Sequence, residues 1–203
     1  MRTIVNSVTV AEGPPENLAE LNMALAALRG RYPGATIDRY LGKIPQVAQD
    51  VYVAPTAVVV GEVILHAQVS IWHGAVVRGD VNRVEIRQRS NIQDGAVVHL
   101  GDLDPTFVDE DVVVGHRAVL HGCHIGAGSL IGIQATVLDG VVVGEGSIIG
   151  AGSIVTAGTH VPARSLVLGI PGKVIKQLSL DDELFHRKLA GKYTRLAQNY
   201  LRG

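Results

Sequence analysis

The sequence predicts an all-β solenoid built from six-residue repeats, with a short helical extension before it and a single α-helix after it. Aliphatic residues recur at a strict spacing of six in the second half of the chain: Ile125, Ile131, Val137, Val143, Ile149, Val155, Val161 and Val167. A mostly small or branched residue follows four positions after each of the first seven: Ser129, Ala135, Val141, Ser147, Ser153, Thr159 and Ser165. The chain has 24 glycines and only 4% aromatic residues. A fixed short period indicates a solenoid, and this composition suits a narrow core with many turns.

The repeat continues toward the N terminus with two interruptions of three residues each. Its leading residues there are Val119, Val113 and Phe107, then Val98, Ile92 and Ile86, and then Val77, Ile71, Leu65, Val59 and Val53. Neither an α-helix nor a freely alternating strand repeats at six over this length. We therefore expect one short strand and one turn per hexad, with the leading residue and the residue four later inside the core. Each interruption is expected to be a loop at a corner.

This pattern resembles the hexapeptide-repeat left-handed parallel β-helix proteins. The resemblance implies three hexads per coil, a triangular prism and a left-handed winding, although parallel crossovers are right-handed in nearly all other folds. We expect the β-helix domain to span residues 41–175. The hexads from Val53 to about Gly172 provide roughly six or seven coils.

Three of the eight histidines lie between Asn91 and Gly126, and the repeat places them on this prism. His99 and His121 are expected on one face, one coil apart and outside the core, whereas His116 is expected on the preceding face. An extended chain covers ~3.3 Å per residue, so His116 and His121 can be up to about 16 Å apart. The ligands of one zinc ion each lie about 2.0 to 2.1 Å from it. The three histidines can therefore share a metal most easily if His116 comes from a neighbouring subunit.

Four sequence motifs resemble those of the γ-class carbonic anhydrase family, over roughly Leu41 to Tyr200. They are RGD at 78–80, NIQDG at 91–95, VVH ending at His99, and VGHRAVLHGCHIG at 114–126. The resemblance implies a homotrimer with metal sites between subunits, in which His99, His116 and His121 bind Zn²⁺, with Fe²⁺ or Co²⁺ as possible replacements. It also implies reversible hydration of CO2 to bicarbonate by a metal-bound hydroxide.

Five further residues receive expected roles from the same resemblance. Arg78, Asp80 and Asp94 are expected to tie subunits together around the site, and an arginine can hold a carboxylate in a bidentate pair. Gln93 is expected to hydrogen-bond the hydroxide. Tyr193, within the sequence KYTRLA, can reach the site or simply pack, and both interpretations stay open. The loop from Leu100 to Thr106 has aspartates but no glutamate, unlike the longer acidic loop of the family's archaeal prototype, which leaves the proton route open.

The N-terminal extension, residues 1–40, is expected to contain a strand in Met1–Val10 and a helix over Glu16–Arg29 that stops at Gly30. A stripe of four leucines marks the helix: Leu18, Leu21, Leu25 and Leu28. Its two glutamates argue against a signal peptide. No stretch reaches the ~20 apolar residues that cross a bilayer. A net charge of −1 gives no reason to expect nucleic acid or a membrane as a partner. We expect a cytoplasmic protein.

Residues 176–203 are expected to form a helix that packs on the prism, after the prism closes at Gly169–Gly172. Ser179 followed by Asp182 resembles a helix start. The predicted apolar stripe of this helix is Leu180, Leu184, Leu189, Tyr193, Leu196 and Tyr200. His66 and His73 are expected to be exposed and without a role in the site, and Cys123 is expected to be a buried small hydrophobic residue.

Two other classes of function stay open. The hexapeptide prism is also the scaffold of acyl-CoA-dependent acyltransferases, and a fold does not determine a function. Those enzymes need one catalytic histidine and an acyl-acceptor pocket, and metal analysis separates them from the metal-dependent alternative. The second is a γ-class relative that keeps the metal but hydrates CO2 poorly and serves in assembly or metal binding; stopped-flow CO2 hydration distinguishes it.

Overall fold

The computed structural model describes residues 17–202, which form a parallel β-solenoid between two α-helices. The predicted strand at Met1–Val10 lies outside the described residues. The helices are α1 (Leu18–Arg31) and α2 (Leu180–Arg202). The strands are β1 (Thr36–Asp38), β2 (Gln46–Val47), β3 (Tyr52–Val53), β4 (Val58–Leu65), β5 (Ser70–Ile71), β6 (Val76–Ile86), β7 (Asn91–Ile92), β8 (Val97–His99), β9 (Thr106–Val108), β10 (Val113–Val114), β11 (Val119–His121), β12 (His124–Ile125), β13 (Leu130–Ile131), β14 (Thr136–Val137), β15 (Val142–Val143), β16 (Ile148–Ile149), β17 (Ile154–Val155), β18 (His160–Val161), β19 (Ser165–Leu168) and β20 (Lys173–Gln177).

The strands stack coil upon coil into a 12-stranded and an 8-stranded sheet. The smaller sheet runs in the order β3, β5, β7, β10, β13, β16, β19 and β20, and only its last pair is antiparallel. The seven strands from β3 to β19 in this sheet lie in successive coils, one strand per coil, so the solenoid has about seven coils. The predicted solenoid with a helix at each end is confirmed, and its core is the column of buried aliphatic side chains that the six-residue period predicts.

The predicted phase of the repeat is wrong by one residue between residues 107 and 120. In register, Val108 lies next to Ile125, Val114 next to Ile131, and Leu120 next to Val137. These three residues face the core, whereas Phe107 and Val119 are only partly buried. The reason is a five-residue step from Leu120 to Ile125, which Gly122 permits because its φ of 58° allows a tight corner. His121 therefore takes the position directly after its leading residue, as His99 does after Val98.

The two interruptions have different structures, and the one between the core residues Val98 and Val108 is four residues long instead of the predicted three. One is a loop as predicted, at 100–105 between β8 and β9. The other is a bulge inside a continuous strand, because β6 runs from Val76 to Ile86 and pairs with β4 on both sides of residues 80–83, which have no partner in β4. The register shifts between Gly61 and Val63, where a Cβ on Gly61 or Gly79 would overlap the backbone of the facing strand. Glycine at both positions lets the backbones of the two strands lie close together at this corner.

The N-terminal helix packs on the first coil through its predicted leucine stripe. Leu21 and Leu25 are buried, and Leu18 and Leu28 are partly buried. The predicted stop at Gly30 is wrong, since the helix continues to Arg31 and the left-handed residue that follows it is Gly34, with φ of 83°. Strand β1 then pairs in parallel with β4, so the parallel ladder begins at Thr36, upstream of residue 41.

The solenoid ends in a hairpin that the six-residue period does not predict. The parallel ladder stops at Val167, the chain reverses through Gly169–Gly172, and β20 pairs antiparallel with β19. Helix α2 then begins as predicted. The Asp182 N–H donates to Ser179 Oγ at 3.2 Å, and the Ser179 N–H donates to Asp182 Oδ2 at 2.9 Å, which is a reciprocal cap.

The buried face of α2 differs from the predicted apolar stripe. The buried residues are His186, Ala190 and Ala197, whereas most of the predicted stripe is exposed: Leu180, Leu184, Leu196 and Tyr200. Small side chains let the helix approach the sheet closely, and near its C-terminal end Ala197 packs with Tyr52, Ala54 and Trp72. No helix within residues 17–202 has the length and apolar character to cross a bilayer.

Candidate metal centre

His99 and His121 end two neighbouring strands, β8 and β11, and lie opposite each other in register. His99 Nδ1 is 3.2 Å from His121 Nε2. The backbone position follows from the repeat, since Val98 and Leu120 are neighbours in the core and each histidine is the next residue. The His99 side chain is 17% exposed and that of His121 is 34% exposed, so solvent reaches the pair from one side.

A carboxylate accepts a hydrogen bond from the other nitrogen of each ring. His99 Nε2 lies 3.0 Å from Asp80 Oδ1, and His121 Nδ1 lies 2.6 Å from Asp139 Oδ1. A neutral imidazole has one N–H group. When that group is the one that donates to the carboxylate, the two nitrogens that face each other both present lone pairs. Such an approach is repulsive unless a cation lies between them.

The distance between these nitrogens fits a metal ion. Two ligands about 2.05 Å from a tetrahedral zinc ion are ~3.3 Å apart, and the observed separation is 3.2 Å. Histidines that bind zinc typically donate their other ring N–H to a carboxylate or a carbonyl. The donor atoms, their spacing and their carboxylate partners therefore all suit Zn²⁺.

His116 stands apart from this pair. It lies in the turn between β10 and β11, where Nδ1 is 3.1 Å from Asp94 Oδ2 and the side chain is 44% exposed. Within residues 17–202 of the single chain, no three His, Cys, Asp or Glu side chains converge as a metal site. One chain thus provides two converging imidazoles and a third on a different corner of the solenoid.

Arg78 and Asp80 form an ion pair beside His99. The Arg78 guanidinium donates to Asp80 Oδ2, while Asp80 Oδ1 accepts from the Val81 backbone N–H at 2.9 Å as well as from His99. Burial on its own would raise the pKa of Asp80. The hydrogen bonds from His99 and Val81 and the nearby Arg78 charge outweigh burial and hold this pKa below its usual value. Asp80 is therefore ionised at neutral pH.

Gln93 and Tyr193 line one pocket together with His116. Gln93 is buried, and its amide nitrogen donates to Asn91 Oδ1 at 3.2 Å. The pocket has a volume of about 360 Å³ and lies between α2 and the smaller sheet, with Leu189 also in its lining. Tyr193 packs edge-on against Trp72, with ring centroids 6.0 Å apart. The structure thus gives Tyr193 both a packing contact and a place near His116.

The remaining predicted bystanders lie outside the site. His66 pairs with Glu85 at 3.0 Å and His73 contacts the Pro55 carbonyl at 2.9 Å, so the ring of each contacts a group that is not a histidine. Cys123 is buried as predicted, and burial raises the pKa of its thiol to about 12. A thiol with this pKa is protonated at neutral pH and is a poor nucleophile.

Sequence reasoning missed Asp139 and Asn91. Asp139 follows His121 by 18 residues, whereas Leu120 pairs with Val137 only 17 residues later, so the residue level with His121 is Leu138 and the repeat does not single out Asp139. Asn91 is fully buried, and its side chain accepts the hydrogen bond of Gln93. The motif NIQDG includes Asn91, but a side chain at the start of a strand gives no sequence signal of its contact two residues later.

The repeat and the overall fold place the chain in a known class. Residues 122–157 match the family model described as bacterial transferase hexapeptide (six repeats). A solved structure of a Bacillus cereus protein, provisionally described as an acetyltransferase, is 37% identical and superposes with a TM-score of 0.81, covering 83% of this chain and 98% of that one. The chain is thus a hexapeptide-repeat β-solenoid protein.

Sequence relatives narrow this class to a family. A Methanocaldococcus jannaschii protein named probable carbonic anhydrase is 44% identical over 152 residues, which are 75% of this chain and 96% of that protein. γ carbonic anhydrase 2, mitochondrial, of Arabidopsis thaliana is 38% identical over 80% of this chain, which spans 61% of that relative's length. The carnitine operon protein CaiE of Escherichia coli is 41% identical over 74% of this chain and 76% of its own length. The chain belongs to the γ-class carbonic anhydrase family.

Proposed function

We propose that this protein catalyses the reversible hydration of CO2 to bicarbonate, at zinc sites between the subunits of a homotrimer. His99 and His121 of one chain and His116 of the next chain would bind each zinc ion. The observation that supports this proposal best is the pair of imidazole nitrogens 3.2 Å apart, each on a ring whose other nitrogen lies within hydrogen-bond distance of a carboxylate. Fe²⁺ or Co²⁺ suits the same ligands.

Zinc held by three neutral imidazoles supplies a Lewis acid that lowers the pKa of a water molecule to about 7. The chain's own residues would prepare the site for this chemistry. Asp80 and Asp139 keep the ring protons of His99 and His121 away from the metal position, so both imidazoles present lone pairs there. Arg78 holds Asp80 in place and helps keep it ionised.

Gln93 and the pocket next to it would receive the substrate. CO2 is small and carries no charge, and the pocket between α2 and the sheet is lined mainly by aliphatic side chains and glycines. One amide N–H of Gln93 is already used by Asn91. Its other N–H and its carbonyl oxygen are the polar groups that would orient the attacking water and the bicarbonate product. Because these groups lie beside His116, they would reach a shared site together with it.

The proposed trimer follows from the positions of the three histidines on one chain. The His99 and His121 face must meet the His116 corner of another copy, which is a contact between two different surfaces. Contacts of this kind close into rings, and a three-fold ring gives three equal sites. Asp94, which pairs with His116 at 3.1 Å, would then lie at the same interface.

Stopped-flow measurement of CO2 hydration by the zinc-loaded protein tests this proposal. The wild type should hold close to one zinc per chain and accelerate hydration, whereas His99→Ala, His116→Ala and His121→Ala should each lose both metal and activity. His124→Ala is the matched control, because His124 lies on the next strand after His121 and pairs with Asp109 at 2.8 Å instead. Stoichiometric zinc in His121→Ala, or a zinc-loaded wild type that does not accelerate hydration, would contradict the proposal.

A second candidate is a metal-binding or assembly protein that hydrates CO2 poorly. The loop at 100–105 favours it, since the only acidic residues there are Asp102 and Asp104 and no glutamate is present to export protons. Full zinc occupancy with a hydration rate at the level of buffer alone is the result expected for this candidate. The chain shares its fold with a structure described as an acetyltransferase. An acyltransferase needs only one catalytic histidine, whereas this chain has three histidines in the motifs of the candidate site.

A further inference from the structure

Asp139 makes the shortest hydrogen bond in the His99 and His121 pair. Its Oδ1 lies 2.6 Å from His121 Nδ1, and it comes from the next coil, in the turn that follows β14. The Asp139 carbonyl accepts a hydrogen bond from the Gly158 N–H at 2.8 Å, so the backbone of this turn is held by the coil beyond it. The carboxylate therefore reaches His121 from a fixed turn.

Two glycines make room for this carboxylate. A Cβ on Gly122 would overlap Asp139 Oδ1, and a Cβ on Gly101 would lie 2.8 Å from the same atom. Gly122 also has a left-handed backbone, but Gly101 does not, so backbone conformation alone gives no reason for glycine at 101. The space at Gly101 instead admits the Asp139 carboxylate next to the histidine pair.

We propose that Asp139 is a positioning residue for the metal site, which holds His121 with Nε2 directed at His99. Without the carboxylate, the imidazole of His121 can carry its proton on Nε2 or rotate, and then no lone pair faces the metal position. This role rests on the proposed function, since it concerns the zinc ion that His99 and His121 would share. Loss of a carboxylate that orients a ligand typically weakens metal binding 10- to 100-fold.

Competition with a chromophoric chelator measures this effect as the Zn²⁺ dissociation constant of the full-length protein. Asp139→Asn should raise the constant about 10- to 100-fold, because the amide has no charge and can donate to Nδ1 and so favour the wrong tautomer. The visible spectrum of the Co²⁺-loaded protein should change as well, because it reports ligand geometry. Asp109→Asn is the matched control: it removes the carboxylate 2.8 Å from His124, outside the site, and should leave both measurements unchanged.

Gly101→Ala provides a second test that keeps Asp139 in the chain. Its methyl group should displace the carboxylate and raise the Zn²⁺ dissociation constant in the same direction, and this variant decides the matter if Asp139→Asn does not fold. Zinc affinity and a Co²⁺ spectrum equal to the wild type in Asp139→Asn would overturn the role of Asp139 while leaving the proposed function intact. A wild type that binds no zinc would instead overturn the proposed function and the role of Asp139 with it.

Discussion

At the scale of single residues, the site differs from an arbitrary cluster of histidines in which ring nitrogen of each histidine faces a carboxylate and which faces the other histidine. His99 turns Nε2 to its carboxylate, whereas His121 turns Nδ1 to its own, yet the free nitrogens still meet at 3.2 Å. His116 also has a carboxylate, Asp94, at Nδ1. An aspartate of a neighbouring coil thus lies beside each of the three proposed ligands.

His186 gives a pH dependence that belongs to α2 and is separate from the site. The ring is buried against the solenoid, Nδ1 has no hydrogen-bond partner among the described residues, and burial lowers the pKa of His186 below its usual 6.5 although Asp182 and Glu183 raise it. A lowered folded pKa means that the unfolded chain binds the proton first. The contribution to stability is complete above about pH 6.5 and falls as the pH drops through that value toward the folded pKa.

Equilibrium unfolding at a series of pH values measures this dependence. The free energy of unfolding of the wild type should decrease as the pH falls from about 7.5 to 5.5, and His186→Leu should flatten part of that decrease. His160→Leu, at an exposed histidine on β18, is the control and should keep the slope of the wild type. An unchanged slope in His186→Leu would show that this histidine is not the group responsible.

At the scale of elements, the five-residue step between β11 and β12 sets the register of the site. It moves Leu120 into the core and places His121 level with His99, whereas a strict six-residue spacing would place Val119 in the core. Leu120→Ala should therefore lower the free energy of unfolding by about 2–5 kcal/mol, because it leaves a cavity. Val119→Ala should cost less than about 1 kcal/mol.

Denaturant unfolding at one fixed protein concentration compares these two variants, since the stability of an oligomer depends on concentration. Equal losses in Leu120→Ala and Val119→Ala, or a larger loss in Val119→Ala, would contradict the register described for β11.

The repeat predicts the stacking of strands well, because the burial of one aliphatic side chain per hexad is a local and regular requirement. It predicts the neighbours His99 and His121 for the same reason. It does not predict which face of α2 is buried, since Ala190 and Ala197 pack closely where larger leucines would not fit. Nor does it predict β6 as one continuous strand, because that outcome depends on a facing pair of glycines in different coils.

Asp139 is a residue of the site that the repeat does not predict. The sequence places Asp139 about one coil after His121, but their contact depends on the free space at Gly101 and Gly122 in the folded corner. The three histidines and the Arg78 and Asp80 pair could be selected from their motifs. The orientations of the histidine rings and the contact of Asp139 depend on side chains of neighbouring coils, which the motifs do not specify.

At the scale of the whole molecule, the separation of His116 from the other two histidines is the feature from which we propose an assembly. Light scattering of the zinc-loaded protein should report about three times the chain mass of 21.5 kDa. The same measurement on His116→Ala should still show a trimer if the solenoid faces provide most of the contact. A monomer that retains tight zinc binding would contradict a site shared between chains.

Co-refolding two inactive variants tests the shared zinc site most directly. His116→Ala chains keep His99 and His121, whereas His99→Ala/His121→Ala chains keep His116, so neither variant alone can form an intact site. Around any mixed ring of three chains, only one junction joins an intact pair to an intact His116. Mixed trimers should therefore recover about a third of the zinc and about a third of the hydration activity of the wild type. Mixed trimers, verified by native mass spectrometry, that bind no more zinc than the separate variants would contradict the account.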